Sequence, residues 1–262
     1  MLLQIFRKWI YLFFCYFLRL GSWYKDYIRN IAGEECVLYN AKSLLILVPH
    51  YDDEVLGCYN LLRNCVKKDF DLMYVTDSSG HKGRHYDSMT RRIESDTALA
   101  GISSVRQRIY LDIPDQEVYR FKGELKDKIR LIADDYDFIF SPAYWDTTPD
   151  HSTIAHTLLE TIDSDKIIYY RSTDYTFKSK SASFCSRGRI GDKLRAINAF
   201  KTQRHLALFN PIIHSSITDT KLKNIDTVEC FLRASEMTEE HKQNFNTLGI
   251  YNIFNFENFT DK

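Results

Sequence analysis

The sequence predicts an α/β fold: a mostly parallel sheet with helices on both faces. Two observations carry this. Short apolar runs at 44–48, 72–76, 108–111, 137–141 and 167–170 alternate with helix-like spacing near 54–67, 87–100, 121–134 and 152–163. In addition, clusters of acids and histidines sit where a strand hands over to a helix. That carboxyl edge is where ligands bind in open α/β sheets. No G-x-G-x-x-G follows the first strand, so a nucleotide-cofactor reading loses its main support.

Taken in order, the chain begins with ten apolar and aromatic residues, Trp9 to Leu18, between Arg7-Lys8 and Arg19. A bilayer span needs about 20 residues, so this run is too short to cross. No convincing cleavage site for a signal peptide follows it. As a helix it has a narrow polar stripe (Gln4, Lys8, Tyr11, Cys15, Arg19) and basic ends, the profile of an interfacial membrane helix. A helix packing on the main domain or on a second subunit is the plainer alternative. Residues 1–30 are therefore set apart, with residues 1–22 as the membrane-surface candidate, and residues 28–42 read as a mobile linker. The main domain is expected over 43–235. The segment 236–262 is an aromatic and asparagine-rich tail expected to dock on the domain or on a partner.

The first strand, Leu44-Leu45-Ile46-Leu47-Val48, is continuously apolar and ends at Pro49, as a buried parallel strand does. His50-Tyr51-Asp52-Asp53-Glu54 follows directly. An imidazole and three carboxylates at a strand end suit zinc and a neighbouring base. Acids at a helix start also cap free amides, which explains Asp53 and Glu54 but not His50 and Asp52. The pattern recurs after Phe138-Ile139-Phe140-Ser141-Pro142. There Asp146-Thr147-Thr148-Pro149-Asp150-His151 precedes an apolar helical segment. Two such loops on one edge can converge on one ion.

These motifs resemble those of the PIG-L/LmbE-like zinc N-deacetylase family. The family pattern P-H-P-D-D-E is matched by Pro49-His50-Tyr51-Asp52-Asp53-Glu54, and H-x-D-H by Thr148-Pro149-Asp150-His151. Looser matches follow in order. They are Val75-Thr76-Asp77 with Gly80, Arg91 to Glu94, Lys193 to Gln203, and Val228-Glu229-Cys230-Phe231. The likeness spans about Ser43 to Ala234 and implies a Rossmann-like domain.

The resemblance implies Zn²⁺ held by His50, Asp53 and His151, with Asp52 as general base. Zinc lowers the pKa of a water it binds to about 7 and polarises a carbonyl. Asp150 is expected to orient a site group, and Glu54 is given no catalytic role. Arg91, Arg92, Asp77 and His81 are the candidate substrate contacts. The chain departs from the pattern at Tyr51, where the family has proline, and at Thr148, where it has histidine. Thr148 takes the catalytic position of that histidine; it can donate a hydrogen bond but cannot carry charge. His81, His85, His156, His205 and His214 are candidates to replace the lost imidazole. The expected reaction is hydrolysis of the acetamide of an N-acetylated amino sugar in surface polysaccharide or glycoconjugate synthesis. A zinc amidase on a non-sugar amide and an impaired, binding-only member stay open.

Composition fits. Lys+Arg and Asp+Glu are 35 each in 262 residues, so the formal net charge is +0 and nothing suggests nucleic-acid binding. Six cysteines without a C-x-x-C pair suggest free thiols in a reducing compartment. The expected location is the cytoplasm, at the inner face of the membrane if the N-terminal segment binds there.

Overall fold

The computed structural model describes residues 32–33, 37–81, 84–172, 176–177, 181–206 and 226–238. The predicted N-terminal helix lies outside the described residues, as does the tail beyond residue 238. Among the described residues no helix is long and apolar enough to cross a membrane.

The elements run β1 (Ala32–Gly33), β2 (Ser43–Val48), α1 (Asp53–Asn64), β3 (Asp69–Thr76), β4 (Gly80–His81), β5 (Arg84–His85), α2 (Ser88–Ala98) and β6 (Val105–Ile113). Then come α3 (Lys122–Ile132), β7 (Phe138–Pro142), α4 (Pro149–Leu159), β8 (Ile167–Tyr170), β9 (Phe184–Arg189), α5 (Ile190–Ile197) and β10 (Asp226–Arg233). Eight strands form one sheet in the order β1-β9-β10-β8-β7-β2-β3-β6. The five strands from β6 to β8 are mutually parallel, and β10 runs antiparallel to both β8 and β9. The α/β expectation of a mostly parallel sheet with helices on both faces describes this architecture.

Burial on both faces explains the unbroken apolar run of β2. Leu44, Ile46 and Val48 enter one core with side chains of α1, α2 and α5, while Leu45 and Leu47 enter the other with α3 and α4. Each fully buried side chain of this size stabilises the fold by about 1.5–3 kcal/mol. Gly57 lets α1 press against the sheet, because a Cβ there would lie 2.3 Å from the Tyr170 ring. A buried ion pair ties the late elements to α1. Glu229 Oε1 accepts from Lys193 Nζ at 2.7 Å, its carboxylate takes the Asn60 and Leu61 amides, and Lys193 donates to Leu56 O.

Strand β2 lies between β3 and β7. The chain moves outward from β2 through α1 and α2, then crosses to β7 through α3. The strand order therefore reverses at the carboxyl ends of β2 and β7, a position favoured for ligand binding.

Three expectations change. The helix predicted over 152–163 begins at Pro149, because proline fits the first helical turn and Thr148 supplies the N-cap position. Asp150 and His151 thus sit inside the helix. The polar stretch 172–192, which by composition reads as a loop or edge hairpin, contains β9, which pairs with β10 inside the sheet. Part of the expected linker is anchored: Ala32–Gly33 pairs with β9, and Leu38 is buried.

Candidate metal centre

Three donor atoms converge at the reversal point. His50 Nδ1 lies 3.1 Å from His151 Nε2 and 3.3 Å from Asp53 Oδ2, and His151 Nε2 lies 3.1 Å from Asp53 Oδ2. Zinc–ligand bonds of about 2.0–2.1 Å at tetrahedral angles place ligand atoms about 3.3–3.4 Å apart. The triangle is close to that spacing, so the residues present fit a zinc ion. Two imidazole nitrogens aimed at each other beside a carboxylate is a donor set that a cation satisfies better than a shared proton.

Local structure explains the convergence. Pro49 ends β2, and Asp53 opens α1 with its carboxylate accepting the His50 amide at 3.1 Å. His151 lies in the first turn of α4 and is almost fully buried. Its second nitrogen, Nδ1, faces Asp146 Oδ2 and Ser172 Oγ, each at 3.2 Å. His50 Nε2 faces Asp150 Oδ2 and Asp115 Oδ1, also at 3.2 Å. Carboxylates behind the ligands in this way fix tautomer and ring orientation. Asp150 is itself held by the Gln116 and Val118 amides. It therefore orients His50, the candidate ligand from the other loop, rather than its neighbour His151.

Burial disfavours charge on both rings, but the carboxylates outweigh it. Asp115, Asp150 and Asp53 hold His50 well above the usual histidine range, and Asp53 and Asp146 push His151 up to about 10. Asp53 is held below the usual carboxylate range: burial opposes this, and the two imidazoles overcome it.

Asp52 is buried and has φ 147°, a region that favours glycine. Its amide donates to Glu54 Oε2 at 2.9 Å, and its Oδ2 lies 3.3 Å from Arg91 Nη2. Burial raises its pKa to about 6, moderated by Arg91. Glu54 lies at 0% exposure among Ser95, Tyr74 and the Asp52 amide, and burial lifts it to about 7. It is a brace for the Asp52 turn, more than the helix-start acid the sequence suggested.

The candidate substrate contacts are placed less openly than expected. Arg91 is 2% exposed and spends its guanidinium on Tyr51 O, Asp52, Glu94 and Thr202. Arg92 bonds Tyr51 Oη and Asp112. Asp77 Oδ1 accepts the Ser79 and Asp115 amides and so shapes the loop that delivers Asp115. His81 lies on the β4–β5 hairpin. Asp115 and Ser172 were missed in the sequence. Asp115 had a signal: like Asp52 it closely follows a strand-ending proline, here Pro114.

The family model PIG-L, described as GlcNAc-PI de-N-acetylase, matches residues 45–162, which hold all three candidate ligands. That stretch of the chain is similar to the PIG-L family. A search of curated proteins gives no significant match. Among solved structures, N,N'-diacetylchitobiose deacetylase from Pyrococcus horikoshii is similar with TM-score 0.57 and 15% identity, over 76% of this chain and 86% of that one. A zinc inhibited form of teicoplanin deacetylase gives TM-score 0.54 and 17% identity, over 73% of this chain and 98% of that one. The 4-carboxy-2-hydroxymuconate hydratase GalB, from a Pseudomonas, gives 0.50 and 16%, over 73% and 95%. At these identities the likeness is one of fold.

Against the PIG-L pattern, Thr148 stands out. It occupies the N-cap position of α4 without a side-chain capping bond, and its amide donates to Asp146 Oδ1 at 2.9 Å. Two of the proposed replacement histidines are described with their side chains. His156 Nε2 donates to Tyr144 O at 2.9 Å, and His85 is exposed on β5; neither belongs to the donor cluster. The side chains of His81, His205 and His214 lie outside the described residues.

Proposed function

We propose that this chain is a zinc-dependent N-deacetylase that hydrolyses the acetamide of an N-acetylated amino sugar. The observation that carries the reading is the triangle of His50, Asp53 and His151 donor atoms at 3.1–3.3 Å, with Asp52 next in the chain. Bound zinc would supply Lewis acidity and lower the pKa of a coordinated water. The residues do the rest. Asp52, raised to about 6, takes up the proton of the attacking water and passes it to the leaving amine. Asp146, Asp115 and Asp150 keep both imidazoles turned inward. Thr148 supplies at most a neutral hydrogen bond at a position where the family has a titratable one.

The substrate is proposed to be a glycan precursor, free or linked to a lipid or nucleotide. The N-terminal residues 1–22 would hold the enzyme at the membrane surface; unchanged fractionation after their deletion would count against that. A second reading, water addition to a substrate that is not an amide, has the shared fold of GalB behind it. Acetate release from N-acetylglucosamine conjugates, measured with and without zinc, separates the readings, with Asp52→Ala as control. Acetate that depends on both zinc and Asp52 supports the deacetylase. Zinc binding without acetate release favours the second reading or an impaired member.

A further inference from the structure

Tyr51 is this chain's own departure from the P-H-P-D-D-E pattern, and the structure gives its side chain a task. Its neighbours on either side are a metal-ligand candidate, His50, and the base candidate, Asp52. A proline at this position would fix its own φ near −65° and would donate no hydrogen bond. Tyrosine restrains nothing by itself, yet Asp52 beside it sits at φ 147°.

The restraint comes from contacts that all lead away from the donor triangle. Tyr51 is 0% exposed. Its amide donates to Ser78 Oγ at 2.9 Å, and its carbonyl accepts from Arg91 Nη2. Its ring stacks on Tyr74, centroids 4.6 Å apart and 22° inclined, and Tyr74 stacks in turn on Tyr110 at 5.4 Å and 15°. Arg92 closes the arrangement. Its Nε donates to Tyr51 Oη at 2.9 Å, its guanidinium lies 4.0 Å from the Tyr110 ring centroid, and it pairs with Asp112.

We propose that Tyr51 is a positioning residue and Arg92 its latch, together holding the His50–Asp52 turn at a position where the P-H-P-D-D-E pattern has proline. Neither residue belongs to the donor triangle. They act through the backbone that aims the His50 imidazole and the Asp52 carboxylate.

The test is a double-mutant cycle with Tyr51→Phe, which keeps the ring stack and removes the Arg92 bond, and Arg92→Met. Zinc affinity is read by chelator competition well below the melting temperature, so global stability does not enter. The kinetic readout, kcat against KM for acetate release, rests on the deacetylase reading. Each single variant should lose about tenfold in zinc affinity, as supporting groups around metal ligands do. The double variant should fall within about twofold of Arg92→Met, because one latch can be broken only once. In kinetics, kcat should fall with KM unchanged. Zinc affinity of Tyr51→Phe equal to wild type, or single losses that multiply in the double, would overturn the proposal. A wild type that binds zinc but releases no acetate sinks the deacetylase reading and leaves the affinity cycle to decide the latch. A wild type that binds no zinc overturns both.

Discussion

Replacing Asp146 by asparagine tests the centre through a residue outside the donor triangle. Asp146 Oδ1 accepts the Thr148 amide at 2.9 Å, and Oδ2 faces His151 Nδ1 at 3.2 Å. A carboxamide of the same shape keeps its oxygen on the Thr148 amide and turns its NH₂ toward Nδ1. Nδ1 must then accept, which leaves the proton on Nε2, the nitrogen that faces the metal position. Losses of 10–100-fold in metal affinity are usual for such supporting groups. Ser172 Oγ, also 3.2 Å from Nδ1, can partly take over, so the lower end is expected: about tenfold, or about 1.4 kcal/mol. At excess zinc the ligand-linked stabilisation falls by the same amount. For a chain of this size that is a zinc-induced rise in Tm about 3–6 °C smaller than in wild type. Paired thermal scans in excess zinc and in chelator read it directly. An equal zinc-induced rise in Asp146→Asn and wild type would refute the assignment of His151 Nε2 as a ligand atom.

Asp52→Asn should lower kcat by about 10²–10⁴-fold while zinc titration stays near wild type, because Asp52 is not in the donor triangle; a comparable loss of zinc binding would count against its role as base. Zinc uptake at pH 7 should release at least one proton, since His151 is held at about 10 and His50 also above its usual range; titration calorimetry in buffers of different ionisation enthalpy counts it, and zero release contradicts the geometry. In the metal-free chain the sign is that of a raised imidazole: stability is fully present below pH 6.5 and is lost as pH rises through about 10. A metal-free protein whose urea midpoint climbs across that window would contradict it. Lys193→Met should cost about 3–5 kcal/mol in urea denaturation by stranding the buried Glu229; a loss under about 1 kcal/mol would show that the pair contributes little.

The parallel half of the sheet was legible because burial on both faces writes itself as continuous apolar runs. Leu44 to Val48, Phe138 to Pro142 and Ile167 to Tyr170 could be located from composition alone. β9 was not, because Phe184-Cys185-Ser186-Arg187-Gly188-Arg189 is apolar only at one end; its place is set by pairing with β10 on one side and β1 on the other. The candidate ligands stood out because His50, Asp53 and His151 sit at strand ends in short motifs. Asp146 and Asp150 share the second motif, but the supports Asp115 and Ser172 did not stand out. Asp115 arrives from β6 and Ser172 from the end of β8, and no local pattern ties a lone acid or serine to an imidazole more than twenty residues away. Arg91 and Arg92 are read as candidate substrate contacts because they lie nearest to the motif positions. Only the fold reveals that α2 turns both inward onto the Tyr51–Asp52 turn.

Three consecutive carboxylates in the first motif show why residue type alone could not assign the work. Asp52, Asp53 and Glu54 are all buried, and burial pushes each toward its neutral form. What differs is the company each keeps. Asp53 faces two imidazoles and stays ionised, which a ligand requires. Asp52 is offset in part by Arg91 and, less strongly, by His50, and settles near 6, where a carboxylate both accepts and returns a proton close to neutrality. Glu54 has hydroxyl donors and a backbone amide but no cation, and rises to about 7. It serves best as the brace that keeps Asp52 in its strained turn. One pentad thereby holds a candidate ligand, a candidate base and a support, separated by which neighbours the fold brings to each.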